Sequence, residues 1–138
     1  MIVCRTLDYI VNPELHKFLF TKFDKAKEIG IEIEIELTEP IDNLIIKPKG
    51  FLKIMDRLLE DALQSIKESD EKKMLFCMFY KNGDLWCLVR YHFPTNDNQH
   101  FSLEEYNKKL AESMKGYRTI SNIEYEDSEI TQLIIILK

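Results

Sequence analysis

The sequence predicts an α+β fold, a two-layer α/β sandwich in which a mixed sheet of about five strands carries three helices on one face. Two observations predict it. Residues 31–37 alternate strictly between apolar and acidic side chains, and Asn82-Gly83 separates two apolar runs. The resulting order of elements is α-β-α-β-β-α-β-β. A length of 138 residues suits one domain over residues 1–138 with one hydrophobic core.

The first helix and the first strand have clear boundaries. Residues 1–10 are either an opening strand or the tail of an upstream segment. Asn12-Pro13 starts a helix, because asparagine caps free amides and proline fits the first helical position. Gly30 ends that helix. Residues 31–37, IEIEIEL, then place Ile and Leu on one face and Glu on the other, so we expect a strand with one dry and one wet face.

The later elements are bounded by turn and capping signals. Asn82-Gly83 is the strongest short hairpin signal and joins two strands. A capping box of Ser102 and Glu105 starts the third helix, which ends near Gly116. The predicted strands and helix of this half are 74–80, 85–93, 102–116, 118–125 and 130–137.

Composition limits the class of protein. Hydrophobic residues make up 45%, charged residues 31%, and the formal net charge is −5. Nucleic acid is not an expected partner, since its phosphates are bound by clustered Lys and Arg side chains. No apolar run approaches the roughly 20 residues that span a bilayer, so we expect no direct membrane insertion. Cys4, Cys77 and Cys87 lack CxxC spacing and indicate a reducing compartment, the cytoplasm.

Two strands are apolar at consecutive positions. Residues 74–79 and 133–137 differ in this from 31–37, so both of their faces need cover. Either they are central strands with a locally buried back face, or the back face is a surface for self-association or for a partner. For Trp86 and Phe101 we expect packing in the core.

The second helix is predicted over residues 51–69, FLKIMDRLLEDALQSIKES. Its apolar side chains fill one half of the cylinder at 100° per residue. Asp61 falls on the boundary and Glu60 well out on the polar side, so the two carboxylates are not expected to form a joint metal site. Arg57 precedes Asp61 by four residues and can pair with it, for roughly 0.2–0.5 kcal/mol.

The stretches NPELHKFLFTKFDKAKEIGIEIEIEL and FLKIMDRLLEDALQSIKES carry a family resemblance. They resemble the GHKL (Bergerat-fold) ATP-binding domain of accessory-gene-regulator-type sensor histidine kinases. In those kinases a Lys-x-x-x-Ala helix end precedes a Gly-Ile strand, which Lys22, Ala26 and Gly30-Ile31 reproduce. The helix motif called the N-box corresponds to residues 57–65. The ending GYRTISNIEYEDSEITQLIIILK is similar to that of the C-terminal domain of the sporulation-initiation phosphotransferase.

The resemblance implies positions for a Mg-ATP site. The N-box asparagine that ligates Mg²⁺ maps to Asp61, which is the candidate metal ligand, and the upstream asparagine maps to Arg57. If a nucleotide binds, the cofactor-binding residues are Arg57, Asp61 and Gln64. The family's motif at the start of the adenine pocket falls at residues 90–93, RYHF, which are all bulky.

The expected phosphate loop is missing from the sequence. The family places glycines before its last helix so that backbone amides can approach the phosphates. Between Phe93 and Gly116 this chain has no glycine. We therefore expect a degenerate domain that binds no cofactor, has no catalytic residue and works through protein partners. Those partners are a response regulator, a partner kinase domain or a second copy of the chain. The alternative is a competent, ATP-dependent protein histidine kinase.

The histidines are isolated in the sequence. His16 lacks the acidic context of a phospho-acceptor histidine and is interpreted as a helix surface residue. His92, on an apolar strand, is expected to be packed or at an edge rather than a ligand. His100 has no partner of recognisable spacing.

Overall fold

The helices and strands follow the order that the sequence predicts. The computed structural model describes residues 3–92 and 103–138, without the side chains of 103–107. A 3₁₀ turn at Leu7–Tyr9 precedes the first helix. The regular elements are α1 Pro13–Glu28, β1 Glu32–Leu37, α2 Pro48–Lys67, β2 Lys73–Lys81, β3 Asp84–His92, α3 Leu103–Ser113, β4 Thr119–Glu126 and β5 Glu129–Ile136.

One mixed sheet carries the helices on one face, which confirms the predicted fold class. Its strand order is β1-β2-β3-β5-β4. β1 pairs with β2 in parallel, and the other pairs are antiparallel. At the predicted hairpin, Asn82 and Gly83 have φ values of 54° and 84°, as a type I′ turn requires. The strand β1 therefore lies at an edge, beside α1.

The N-terminal residues make short contacts with the sheet instead of a full strand. Cys4 forms an antiparallel bridge to Leu37, and Ile10 forms a parallel bridge to Ile41. Asn12 then caps α1, accepting a hydrogen bond from the Leu15 amide at 2.9 Å. The described part of residues 1–10 thus belongs to this fold as an irregular border of the sheet.

The second helix starts three residues before its predicted beginning. It begins at Pro48, which occupies the first turn. Gly50 is buried in that turn, where the Tyr117 ring packs so closely that a Cβ would lie 2.6 Å from its Cζ. The contact explains why a glycine is accommodated inside this helix.

The core lies between α1, α2 and the inner face of the sheet. Leu15 and Leu19 of α1 are fully buried, and Phe23 meets Phe76 edge to face at 5.2 Å between ring centroids. Each large apolar side chain buried in this way contributes about 1.5–3 kcal/mol. The buried apolar side chains of α2 are Phe51, Ile54, Met55, Leu58, Leu59, Ala62 and Ile66.

The outer face of the sheet is apolar along its centre. Phe79 and Trp86 stack there at 5.7 Å between ring centroids, and the Lys81 ammonium lies 5.0 Å from the Trp86 centroid. The prediction that Trp86 packs in the core is wrong, because its position in β3 alternates with the buried Cys87 and Leu85. Phe101 lies outside the described residues. Among the helices that are described, none is long and apolar enough to cross a bilayer.

Candidate functional site

The predicted pair on α2 is formed. Arg57 Nη2 donates a hydrogen bond of 2.9 Å to Asp61 Oδ1. The Arg57 side chain is 32% exposed and the Asp61 side chain 21%. Asp61 Oδ2 and Arg57 Nε are buried, and the described residues offer neither atom a hydrogen-bond partner. One oxygen of Asp61 and one nitrogen of Arg57 are therefore bonded to each other, and one further polar atom of each group is withdrawn from water.

The environment of Asp61 favours its neutral form. Burial raises the pKa of the Asp61 carboxyl, and the positive charges of Arg57 and Lys109 offset this only in part. The effect of burial on the pKa of Asp61 is therefore larger than the opposing effect of the two cations. A carboxyl group whose neutral form is favoured in this way is a poorer ligand for a metal ion than an ordinary carboxylate.

Tyr91 fills the space that faces α2 from the sheet. It is one of the largest fully buried side chains, at 1% exposure, and the Ser65 side chain is the polar neighbour of its hydroxyl. Burial raises the pKa of Tyr91, and the negative charge of Asp61 raises it further. The resemblance places the start of an adenine pocket at residues 90–93, and the described part of this stretch holds a buried aromatic ring.

Glu60 and Asp61 have different partners, as their spacing predicts. Lys22 Nζ of α1 lies 2.8 Å from Glu60 Oε2 and 2.8 Å from Asp56 Oδ1. Glu60 therefore ties α2 to α1 instead of joining Asp61. Sequence reasoning did not predict this bridge, although the position of Lys22 among the apolar residues of α1 was a signal for it.

Gln64 is separate from the Arg57–Asp61 pair. It lies on the exposed side of α2, and the described residues offer it no hydrogen bond. The structure thus brings together Arg57 and Asp61 and adds Tyr91 and Lys109 to them. The sequence carries no signal that Lys109 approaches Asp61, because Lys109 lies on a different helix, α3. The cofactor-binding and metal-binding roles implied for Arg57, Asp61 and Gln64 stay predictions.

The histidines do not form a metal site within the described residues. His92 Nε2 lies 3.1 Å from Glu71 Oε2 and 3.5 Å from Glu129 Oε2, on the outer face of the sheet. His16 is half-buried on α1. Within residues 3–92 and 108–138, no group of three or more His, Cys, Asp or Glu side chains could hold a metal ion. His100 and Phe93 lie outside the described residues.

The three cysteines are free thiols in different environments. Burial raises the pKa of Cys87 to about 12. Burial, and then the neighbouring charge of Glu36, raise the pKa of Cys77 to about 11. Hydrogen bonds with Thr6 lower the pKa of Cys4. Only Cys4 therefore has an environment that favours the reactive thiolate.

Comparison with known proteins shows the fold. No protein-family model and no curated protein matches the chain. The catalytic domain of histidine kinase ThkA, in a nucleotide-free form, matches at a TM-score of 0.69 and 10% identity, covering 100% of this chain and 97% of that one. Acinetobacter baumannii histidine kinase AdeS matches at 0.67 and 12% identity, covering 88% of this chain and 61% of AdeS.

A third similar structure is full-length ShkA in complex with AMPPNP. It matches at a TM-score of 0.63 and 13% identity, covering 99% of this chain but 31% of ShkA. The chain thus spans less than two thirds of AdeS and about a third of ShkA. Its described fold is that of a histidine kinase catalytic domain. The accessory-gene-regulator subtype and the likeness to the sporulation-initiation phosphotransferase stay predictions.

Proposed function

We propose that the chain is a degenerate histidine-kinase ATPase-like domain of a two-component or quorum-sensing-type signalling protein. It works in the cytoplasm through protein partners and does not bind ATP. The observation that carries this proposal is the ion pair at 2.9 Å between Arg57 and Asp61, on the helix where the resemblance implies a metal-ligating asparagine.

The pair disfavours a magnesium ion in two ways. Mg²⁺ prefers hard oxygen ligands in a near-octahedral arrangement, and one Asp61 oxygen already accepts a hydrogen bond from Arg57. The guanidinium is also a positive charge beside the position that the metal would take, so it repels the ion. Arg57 cannot lose this charge at any physiological pH.

Two further features support the loss of nucleotide binding. Tyr91 is bulky and buried against α2, where the resemblance implies a pocket for adenine. The sequence has no glycine between Phe93 and Gly116, whereas phosphates are bound best by exposed backbone amides. Each feature removes a different contact with the nucleotide.

The work left to such a domain is interaction with another protein. A response regulator and a partner kinase domain are the proposed partners, and support of a dimer is the third possibility. The outer face of the sheet, with Phe79 and Trp86 stacked at its centre, is consistent with such a role, because large apolar patches on soluble proteins mark interaction sites.

The second candidate function is a competent ATP-binding catalytic domain. A specific observation favours it: Asp61 Oδ2 is buried and has no partner among the residues that the structure describes, and such an oxygen is a hard ligand that a cation could satisfy. Asp61 would then hold Mg²⁺, while Arg57 and Gln64 would contact the nucleotide. Bound Mg-ATP would supply a phosphoryl group for transfer to a histidine.

Calorimetry separates the two candidates. We expect no heat of binding when Mg-ATP is titrated to roughly 1 mM. This concentration corresponds to a dissociation constant of the same size, or a binding free energy of about −4 kcal/mol. Sub-millimolar binding that Asp61→Ala abolishes, and that the matched change Glu68→Ala at the end of α2 leaves intact, would establish the competent domain instead.

A further inference from the structure

A groove runs along the free edge of the sheet, between α1, residues 5–8 and β1. Its volume is about 790 Å³, within the range of clefts that bind ligands. None of Arg57, Asp61 and Gln64 lines it. The apolar side chains that line it are Leu7, Phe20, Phe23, Ile31, Ile33 and Ile35. We call this feature the α1 groove.

The main chain of β1 is unpaired where it borders the α1 groove. The Glu32 amide donates to the Lys72 carbonyl at 2.9 Å, so the acidic residues of β1 direct their peptide groups towards β2. The alternating Ile33 and Ile35 therefore direct their N–H and C=O groups outwards, where the described residues offer no partner. Such an edge is a template for another strand.

One end of this edge is already paired with an N-terminal residue of the same chain, and that pair shows which side chains fit beside β1. Leu37, the next outward-directed residue, is paired with Cys4 through hydrogen bonds of 2.7 and 2.9 Å. Cys4 packs against the core, and the following Arg5 reaches the other face, 3.6 Å from Glu34 and 3.8 Å from Glu36. At the paired end of β1 one small apolar side chain thus faces the core and the next, basic side chain faces the glutamates.

The unpaired end continues the same surface. On its inner side lie the apolar side chains of the α1 groove, including Phe20, which is 58% exposed. On its outer side lie the exposed carboxylates of Glu32 and Glu34, which make only long surface contacts with Lys73 at 3.9 Å and Arg5 at 3.6 Å. A strand placed here would direct alternate side chains into the groove and towards these carboxylates.

We propose that the edge of β1 binds an extended segment of a partner protein as a sixth strand, and that this segment alternates apolar and basic side chains. Its apolar side chains enter the α1 groove, and its Lys or Arg side chains face the glutamate row of β1. The open edge from Glu32 to Glu36 accommodates about five residues at roughly 3.3 Å each. This inference does not depend on whether the domain binds nucleotide.

A second copy of the chain is a poor occupant of this edge. Pairing of β1 with β1 across a two-fold axis would set the glutamates of one copy beside those of the other. Like charges directly opposite one another destabilise a strand pair. The row of Glu32, Glu34 and Glu36 therefore selects a basic partner and disfavours self-pairing.

Amide hydrogen exchange of the chain with a synthetic peptide tests the proposal. The probe is Lys-Ile-Lys-Val-Lys-Ile, and the controls are Glu-Ile-Glu-Val-Glu-Ile and a peptide with three Lys followed by three apolar residues. We expect the Ile33 and Ile35 amides to exchange rapidly in the free chain and to become protected by the probe alone. Glu34, whose amide is bonded within the sheet, should be protected throughout.

Matched substitutions locate the binding site. Phe20→Ala and Glu34→Lys should each weaken binding of the probe about tenfold, the loss expected from one central contact. The corresponding changes on β4, Ile120→Ala and Glu124→Lys, should leave it unchanged, because β4 is the opposite edge of the sheet. Glu34→Lys should also improve binding of the acidic peptide.

Several outcomes would overturn the proposal. These are no protection at roughly millimolar probe, equal binding of the basic and acidic peptides, and binding without protection of Ile33 and Ile35. A solution mass of two chains that Glu34→Lys changes would assign the edge to a second copy instead.

Discussion

Arg57 and Asp61 share one hydrogen bond of 2.9 Å on α2, while the second oxygen of the carboxylate is buried without a partner in the described part of the chain. This relationship explains why the same residue supports two interpretations. The bonded oxygen makes Asp61 part of a structural ion pair. The unbonded oxygen leaves Asp61 an atom that a cation could still use.

The first prediction concerns the pH dependence of stability. Burial raises the pKa of Asp61 in the folded chain above its value in the unfolded chain, so the folded state binds its proton more tightly. The contribution of Asp61 to stability is therefore greatest at acid pH and is lost as pH rises through the folded pKa. The Asp61→Asn variant has no carboxyl group to ionise at this position. As pH rises from about 4 to 7, its free energy of unfolding should therefore increase relative to that of the wild type.

Urea unfolding at several pH values measures this difference. The prediction requires the curve of Asp61→Asn to diverge upwards from that of the wild type across the window. Parallel curves would mean that the Asp61 carboxyl has the same proton affinity in both states.

The second prediction concerns the bridge between α1 and α2. Lys22→Met removes the contacts at 2.8 Å with Asp56 and Glu60 and keeps most of the apolar stem. We expect a loss of about 0.5–1 kcal/mol in the free energy of unfolding, as for a partly exposed ion pair. The control is Lys17→Met, an exposed lysine of the same helix, which should cost less. Equal losses for the two variants would show that the bridge adds nothing.

The third prediction concerns Gly50 and Tyr117. Replacing a glycine by alanine inside a helix usually stabilises it by up to about 1 kcal/mol. Here the new Cβ would meet the hydroxyl end of the Tyr117 ring, and this exposed side chain has to move aside, so Gly50→Ala should stabilise the chain by less than this. In a Tyr117→Ala background the same substitution should stabilise it more. Thermal unfolding of the four proteins of this cycle checks the difference, and equal effects in both backgrounds would refute it.

The fourth prediction concerns thiol reactivity. At neutral pH Cys4 should react first with a thiol reagent, because its pKa is lowered, whereas raised pKa values of about 11 and 12 protect Cys77 and Cys87. Cys4→Ala should remove the fast phase of the reaction. A fast phase that survives this substitution would contradict the assignment.

The sequence predicted the elements because each carries a local signal. The alternation of residues 31–37 identified β1, and Asn82-Gly83 identified the hairpin. The Arg57–Asp61 pair followed from helical spacing alone, since residues four apart lie on one face. These features depend on neighbours in the chain, and so they could be predicted without the structure.

Other features depend on tertiary packing and could not be predicted. Asp127 and Ser128 form the tight turn between β4 and β5 with positive φ values of 50° and 67°, although neither is glycine. The position of Trp86 on the outer face could not be predicted because both faces of β3 are apolar, so the sequence does not show which face is turned to the core. The approach of Lys109 to Asp61 requires the placement of α3 against α2.

The open edge of β1 also lay beyond sequence reasoning. Its row of glutamates was interpretable as a wet face, but the strand order that leaves Ile33 and Ile35 unpaired is a property of the whole sheet. The sequence therefore indicated the charge of this surface and not its availability for a partner strand.

The most direct test of the central claim is an amide spectrum of the isotopically labelled chain titrated with magnesium and ADP. We predict that the amide signals of residues 57–65 on α2 do not move at roughly millimolar nucleotide. Saturable shifts of these signals below that concentration, centred on Asp61 and absent from Asp61→Ala, would show that the nucleotide site is intact.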